Sequence, residues 1–354
     1  MTKLINSVVG TALAAGVQLL LGTPHALAIY IRDDVAVAQY NNLAAQPQYQ
    51  AVGYLGFAGA AFSFCAGTLV SPTAFLTAAH CLFDPISFNP RPANTLNVGF
   101  GANFPAGGLG ANNVASYTID PQFLLCSACG RYDVAVLELS APVNNITPAL
   151  VYLGDAVGYV GAIVGYGLQN DGNGNPLVGA NNELAANNMI DGFGNFGFLQ
   201  NLTYETDFDN PAGTTNTFGA AQPLPLEGNP CPGDSGGPLF ANVAGNEILA
   251  GDLSLRGVNA FDPDPNHLCN YGSVAQYSYL ADPITVAYLK DLNLGIGFVL
   301  VPEPSSLALA FAFFGLSGLA LVWWRTSSSH YRHQAGPNTS GQITRHPDGA
   351  DRYL

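Results

Sequence analysis

Apolar residues in this chain come in short runs broken by turn formers. Gly67 to Val70, Val134 to Leu139, Val151 to Leu153, Ala162 to Val164 and Glu247 to Leu249 are such runs. Their β-branched and apolar content, bounded by Gly, Pro, Asn and Ser, predicts strands. Helical spacing is scarce. It is clear only near the end of the domain, where Val286, Tyr288, Leu289 and Leu292 within Ile284 to Leu294 predict a helix. Glycine (41) and proline (24) are frequent among the 354 residues, and the whole pattern predicts an all-β barrel or sandwich. The Gly- and Asn-rich stretch from Asn170 to Phe218 is expected to form long surface loops. Asp171, Asn173 and Asn175 open like a calcium loop, but Asn182 stands where such a loop closes with Glu, so no metal is expected.

Two longer apolar stretches lie outside this pattern. Lys3, an apolar run from Val8 to Leu21 and Ala26-Leu27-Ala28 form an export signal over residues 1–28, with cleavage expected after Ala28. Near the other end, Ser305 to Trp324 is a run of about twenty apolar or small residues followed by Arg325, long enough to span a bilayer. Trp323 and Trp324 would lie at its interface. Residues 326–354 are a polar tail.

Charge narrows the partners. The formal net charge is −14, and the only lysines are Lys3 and Lys290. Nothing here neutralises phosphates, so no nucleic-acid partner is expected. No cofactor motif stands out. All six cysteines follow the signal segment, which suits an oxidising compartment. Cys126 and Cys129 form a C-x-x-C without a thioredoxin-like context or a second ligand pair for zinc, and are read as a local disulfide.

The chemistry centres on Gly233 to Leu239, GDSGGPL. Glycines permit a tight turn, so the N–H groups of Gly233 and Ser235 can converge as an oxyanion hole if Ser235 is a nucleophile. A serine hydroxyl needs a histidine base, and the base needs an acid to orient it. Of the six histidines, His80 and His267 fall inside the expected domain. His80 lies in TAAHC, Thr77 to Cys81, while His267 lies in a polar loop. Asp133 opens the apolar strand run RYDVAVLEL, Arg131 to Leu139.

TAAHC, DVAVLEL and GDSGGPL stand in the order His, Asp, Ser, and the chain resembles the trypsin/chymotrypsin-type serine proteases over about residues 29–292. The resemblance implies two six-stranded antiparallel β-barrels with a C-terminal helix. The first barrel would cover 29–145 with His80 and Asp133. The second would cover 146–295 with Ser235, the boundary lying near Ala141 to Thr147. It implies His80 as general base, Asp133 as its orienter and Ser235 as nucleophile. It also implies disulfides Cys65–Cys81 and Cys231–Cys269. Asp234 would pair with a new α-amino group, Ile29 first and Ile31 as runner-up.

Asn229, six residues before Ser235, takes the place of the pocket floor by the same resemblance. Ser254, Leu255 and Arg256 fall where the family has Ser-Trp-Gly along the substrate-binding strand. A neutral floor argues against trypsin-like selection of Lys or Arg. Val301-Pro302-Glu303-Pro304, the apolar span and Arg325 resemble a PEP-CTERM sorting signal over 301–325. That resemblance implies a Gram-negative envelope and its membrane sorting machinery. The reading is therefore an exported serine endopeptidase acting on protein or peptide substrates. A non-enzymatic binding protein on the same scaffold, and an esterase using the same triad, are the alternatives.

Overall fold

The computed structural model describes residues 29–301 apart from 61, 105–111, 126–129, 197–198, 220–221, 257–266 and 268. Strand β1 (Tyr30–Ile31) and helix α1 (Val37–Ala44) come first. Six strands then close a barrel: β2 (Val52–Phe57), β3 (Ser63–Ser71), β4 (Ala74–Thr77), β5 (Leu96–Phe100), β6 (Asn112–Ile119) and β7 (Ala135–Leu139). Their order around it is β2-β3-β4-β7-β6-β5, and the neighbouring pairs are antiparallel. Leu55, Leu69, Phe75, Leu96, Val98 and Leu137 fill one core of this half. Burying each such side chain stabilises by about 1.5–3 kcal/mol.

The second half is a nine-stranded curled sheet. It contains β8 (Val151–Tyr152), β9 (Val160–Gly165), β10 (Leu184–Met189), β11 (Gly192–Phe196), β12 (Leu199–Asp207), β14 (Pro238–Val243), β15 (Asn246–Arg256), β16 (Val274–Tyr279) and β17 (Phe298–Val299). The path runs β10-β9-β14-β15-β16-β12-β11, with β8 joining β15 and β17 by parallel pairing. Strand β13 (Gly228–Asn229) lies apart and pairs with β1. A third cluster, including Tyr54, Val70, Val134, Val164, Tyr166 and Phe240, draws residues from both halves into one core.

The fold is mostly β, as expected, but only the first half is a closed six-stranded barrel. The expectation of long loops over Asn170 to Phe218 is corrected, because β10, β11 and β12 lie inside that stretch. Leu184, Ala185 and Ala186 of β10 are fully buried. Alanine and asparagine carry little intrinsic strand signal, and here burial against neighbouring strands outweighs propensity.

The C-terminal helix α2 covers Pro283–Asp291. Asp282 caps it by accepting from Ile284 N at 2.9 Å, and Pro283 occupies its first turn. Helix α1 had no sequence signal; it turns Tyr40 and Ala44 inward, and the Tyr40 hydroxyl donates to Glu227 O at 3.1 Å. Among the described residues no helix is long and apolar enough to cross a membrane. The expected signal at 1–28, the apolar span within 301–325 and the tail at 326–354 lie outside the described residues.

Candidate active site

Strand pairing brings the expected base and acid together. Thr77, the last residue of β4, is in register with Ala135, the first of β7. The chain leaves β4 into a short 3-10 turn, Ala79–Leu82, that carries His80, and Asp133 lies two residues before β7. His80 N donates to Asp133 Oδ1 at 2.8 Å, and His80 Nδ1 meets Asp133 Oδ2 at 2.6 Å. A carboxylate only accepts, so Nδ1 carries the proton and Nε2 is the lone-pair nitrogen. The Asp133 side chain is 2 % exposed, against 38 % for His80, so the acid is enclosed and the imidazole reaches the surface.

Ser254 adds a third bond to that carboxylate, its Oγ donating to Asp133 Oδ2 at 2.6 Å. Sequence reasoning placed Ser254 on the substrate strand but did not assign it to the acid. A small polar residue in the buried run of β15 was the available signal.

Ser235 lies on a turn held by both halves. Its carbonyl accepts from Ala66 N of β3 at 2.8 Å. Gly236 N donates to Leu253 O of β15 at 2.8 Å. Gly236, at φ 79°, is packed so tightly on Thr77 Oγ1, Ala66 O and Ala78 N that no Cβ would fit. Cys81 Sγ is 3.7 Å from the Ser235 carbonyl oxygen. The serine turn therefore touches the chain on both sides of His80. Gly233 sits at φ 99°, a conformation that L side chains avoid. Among the described residues, neither Gly233 N–H nor Ser235 N–H donates to a backbone carbonyl.

Asp234 points away from that surface into the interior and is 2 % exposed. Oδ2 accepts from Cys231 N at 2.8 Å and from Ile29 N at 3.2 Å, while Oδ1 accepts from Gly167 N at 2.6 Å. Burial pushes the carboxyl up to about 6 despite those donors. Ile29 is buried at φ 34°, a strained conformation for a β-branched residue inside a chain. Ile31 N instead donates to Asn170 O at 3.0 Å, well away from Asp234.

Asn229 is fully buried, in register with Tyr30 across β1 and β13. Its Nδ2 makes one long contact to Pro230 O at 3.4 Å, and Oδ1 has no partner among the described residues. Leu255 is half-buried, and its side chain approaches Gly130. Arg256 pairs through its backbone with Ala275; its side chain lies outside the described set.

The disulfides Cys65–Cys81 and Cys231–Cys269 are both present. The first brackets the His80 turn and the second anchors the chain just before Ser235. Cys126 and Cys129 lie outside the described residues. Cys65, His80 and Cys81 cluster closely, but the two sulfurs are bonded to each other and offer no thiolate to a metal. In the Asp171 loop, Asp171 Oδ1 is already taken by the amides of Asn173 and Asn175, each at 2.9 Å.

The chain is also similar in sequence to known proteins. The family model for trypsin matches residues 41–284. Trypsin zeta of Drosophila erecta is 29% identical over 183 residues, 49% of this chain and 59% of that protein. A trypsin of Saccharopolyspora erythraea is 28% identical over 192 residues, 51% of this chain and 71% of that protein.

Proposed function

This chain belongs to the trypsin family, and on that premise we propose that it is an exported serine endopeptidase. The observation that carries the proposal is the contact of Asp133 Oδ2 with His80 Nδ1 at 2.6 Å, with the Ser235 turn packed on Thr77 and Ala78. A buried acid that holds one imidazole tautomer, with a serine-bearing turn packed on the same stretch of chain, supports a reading as nucleophilic acyl transfer. In this reading His80 takes the Ser235 proton as the serine oxygen attacks the peptide carbonyl. Asp133 holds the imidazolium that forms. The N–H groups of Gly233 and Ser235 receive the oxyanion. His80 then returns the proton to the leaving amine, and water releases the acyl group by the same route.

We further propose that Ile29 is the mature N-terminus and that its amine pairs with Asp234. Its nitrogen already contacts that carboxylate, and hydrolysis of the peptide bond before it would remove the strained φ. The division into a first unit over 29–145 and a second over 146–295 is part of the same proposal. So is the assignment of Asn229, Ser254, Leu255 and Arg256 to substrate binding. Export through residues 1–28, and sorting at an envelope through 301–325, rest on the sequence pattern of those segments.

The test is cleavage of a peptide library by secreted protein, beside a Ser235→Ala control. Defined cleavage sites that vanish in the control support the proposal. Cleavage by both proteins, or by neither, sinks it.

A further inference from the structure

Asp133 and Asp252 are both buried, and only Asp133 has hydrogen-bond partners. Asp133 accepts from His80 N, His80 Nδ1 and Ser254 Oγ, at 2.8, 2.6 and 2.6 Å. Asp252 lies two residues before Ser254 on β15 and is 0% exposed. Neither of its oxygens has a hydrogen-bond partner, and among the described residues it is the only acid of which that is true of both buried oxygens. Unsatisfied buried polar groups are rare in folded proteins, so this one calls for an explanation.

Its surroundings point to the triad. Asp252 is opposite Ser278 across β15 and β16, and such partners share a face of the sheet. Ser278 Oγ donates to Gly130 O at 2.7 Å, and Asp133 N reaches the same carbonyl at 3.4 Å. Asp252 thus faces the segment that carries Asp133. Arg131 on that segment and Asp282 at the start of α2 pair with each other at 2.7 Å, and burial pushes the hydroxyls of Tyr132, Tyr277 and Tyr279 up, so these stay neutral. The charge that acts on Asp252 is that of Asp133. Burial first, and that like charge second, hold the Asp252 proton on well above the usual carboxylate range.

We infer that Asp252 is a positioning residue acting through Asp133 and His80: its ionisation adds a second negative charge on the Asp133 side of the imidazole and strengthens it as a base. This rests on the triad reading of His80, Asp133 and Ser235. In the transition state His80 is an imidazolium, so the Asp133–His80 couple is neutral and its repulsion on Asp252 is relieved. Asp252 therefore gives its proton to solvent more readily in the transition state than in the resting enzyme. Only an interaction that strengthens in the transition state accelerates the step.

The experiment is kcat/KM against pH for the parent, Asp252→Asn and Asp252→Leu, with Ser235→Ala and Asp133→Asn as controls. Asn keeps the shape without the ionisation. Leu keeps the variant foldable if the amide does not, because apolar replacements of buried charged groups are often tolerated. The expected parent profile keeps rising in alkaline solution by about threefold to tenfold after His80 is fully neutral, since each unit of pKa coupling is worth about tenfold. Both Asp252 variants should level off there and match the parent below neutrality. Superimposable profiles overturn the role of Asp252. So does a loss that is equal at every pH, which marks a merely structural residue, or a displaced acid limb, which marks an Asp252 already ionised. If the control variants turn over at the parent rate, the triad reading itself fails.

Discussion

The backbone nitrogen of Ile29 and Oδ2 of Asp234 are 3.2 Å apart in a site closed to solvent. With an amide as partner, the folded-state carboxyl is pushed up to about 6, above its unfolded value. It therefore lends stability below about pH 4 that is lost as pH rises through about 6. Conversion of that amide to an α-ammonium supplies the opposite charge and removes the penalty. N-terminal sequencing of active enzyme should return Ile29. Acetylation of that amine should cost on the order of a hundredfold or more in activity, the scale of a broken buried pair. An active enzyme that begins elsewhere would refute the pairing.

The triad assignment predicts graded losses. Ser235→Ala and His80→Ala should each reduce turnover by about a million-fold, and the two together by little more. Asp133→Asn should cost about ten-thousand-fold, because the imidazole is then held in the wrong tautomer. Ser254→Ala removes one of three bonds to that carboxylate and should cost far less. Activity should fall in acid as His80 takes up a proton. Burst and steady-state kinetics on a chromogenic peptide would measure all four variants, and parent-like turnover by Ser235→Ala would end the argument.

Stability should fall as pH rises, the opposite of ordinary acid denaturation. Burial pushes Glu183 and Glu227 up to about 8 and Asp209 up to about 6, and it raises the neighbouring carboxyls of Asp191 and Asp207 as well. Glu183 is hydrogen-bonded to Tyr166, whose hydroxyl donates to Gly101 O at 3.1 Å, so the protonated acid fits this chain as the donor. Each folded-state value exceeds the unfolded one, so the native state binds more protons between about pH 4 and pH 8. That stabilisation is complete below about pH 4 and is lost as pH passes through the folded values. The melting temperature should drop steadily from pH 5 to pH 9, and Glu227→Gln should flatten part of the slope. A melting temperature that climbs toward pH 9 would contradict it.

The contact between His80 and Asp133 was more legible in the sequence than much of the fold that carries it. His80, Asp133 and Ser235 stand in motifs whose residue types are dictated by chemistry, and pairing of β4 with β7 brings the first two together. The nine-stranded sheet was legible only in part, at β8, β9 and β15; β10 was not, because Ala185, Ala186 and Asn188 look like loop residues until their neighbours bury them. Helix α1 was equally silent, its role being to deliver Tyr40 to the backbone at Glu227. The buried acids were hidden for another reason. Asp and Glu are ordinarily exposed, and nothing local distinguishes Asp252 from a surface residue. Its enclosure arises from strands distant in the chain.

Specificity should depart from that of a Lys/Arg-selective protease. Asn229 supplies no negative charge, so a basic side chain lacks its charge-assisted partner. Cleavage after uncharged residues should predominate in a peptide-library profile. Asn229→Asp should raise cleavage after basic residues only in part, because Leu255 and Arg256 are part of the same proposed pocket. A parent profile dominated by Arg would displace Asn229 from the pocket floor.

The pairing of β1 with β13 has a practical consequence. Ile29, Tyr30 and Ile31 are all buried, and Tyr30 is in register with Asn229. Tyr30 and Ile31 thus form a strand against the residues that lead into the serine turn. On the proposed pairing of Ile29 with Asp234, a recombinant protein that keeps an initiator methionine or an affinity tag ahead of Ile29 retains an amide in place of the ammonium. Purification handles therefore belong at the other end of the domain, or behind a cleavage site that leaves Ile29 first.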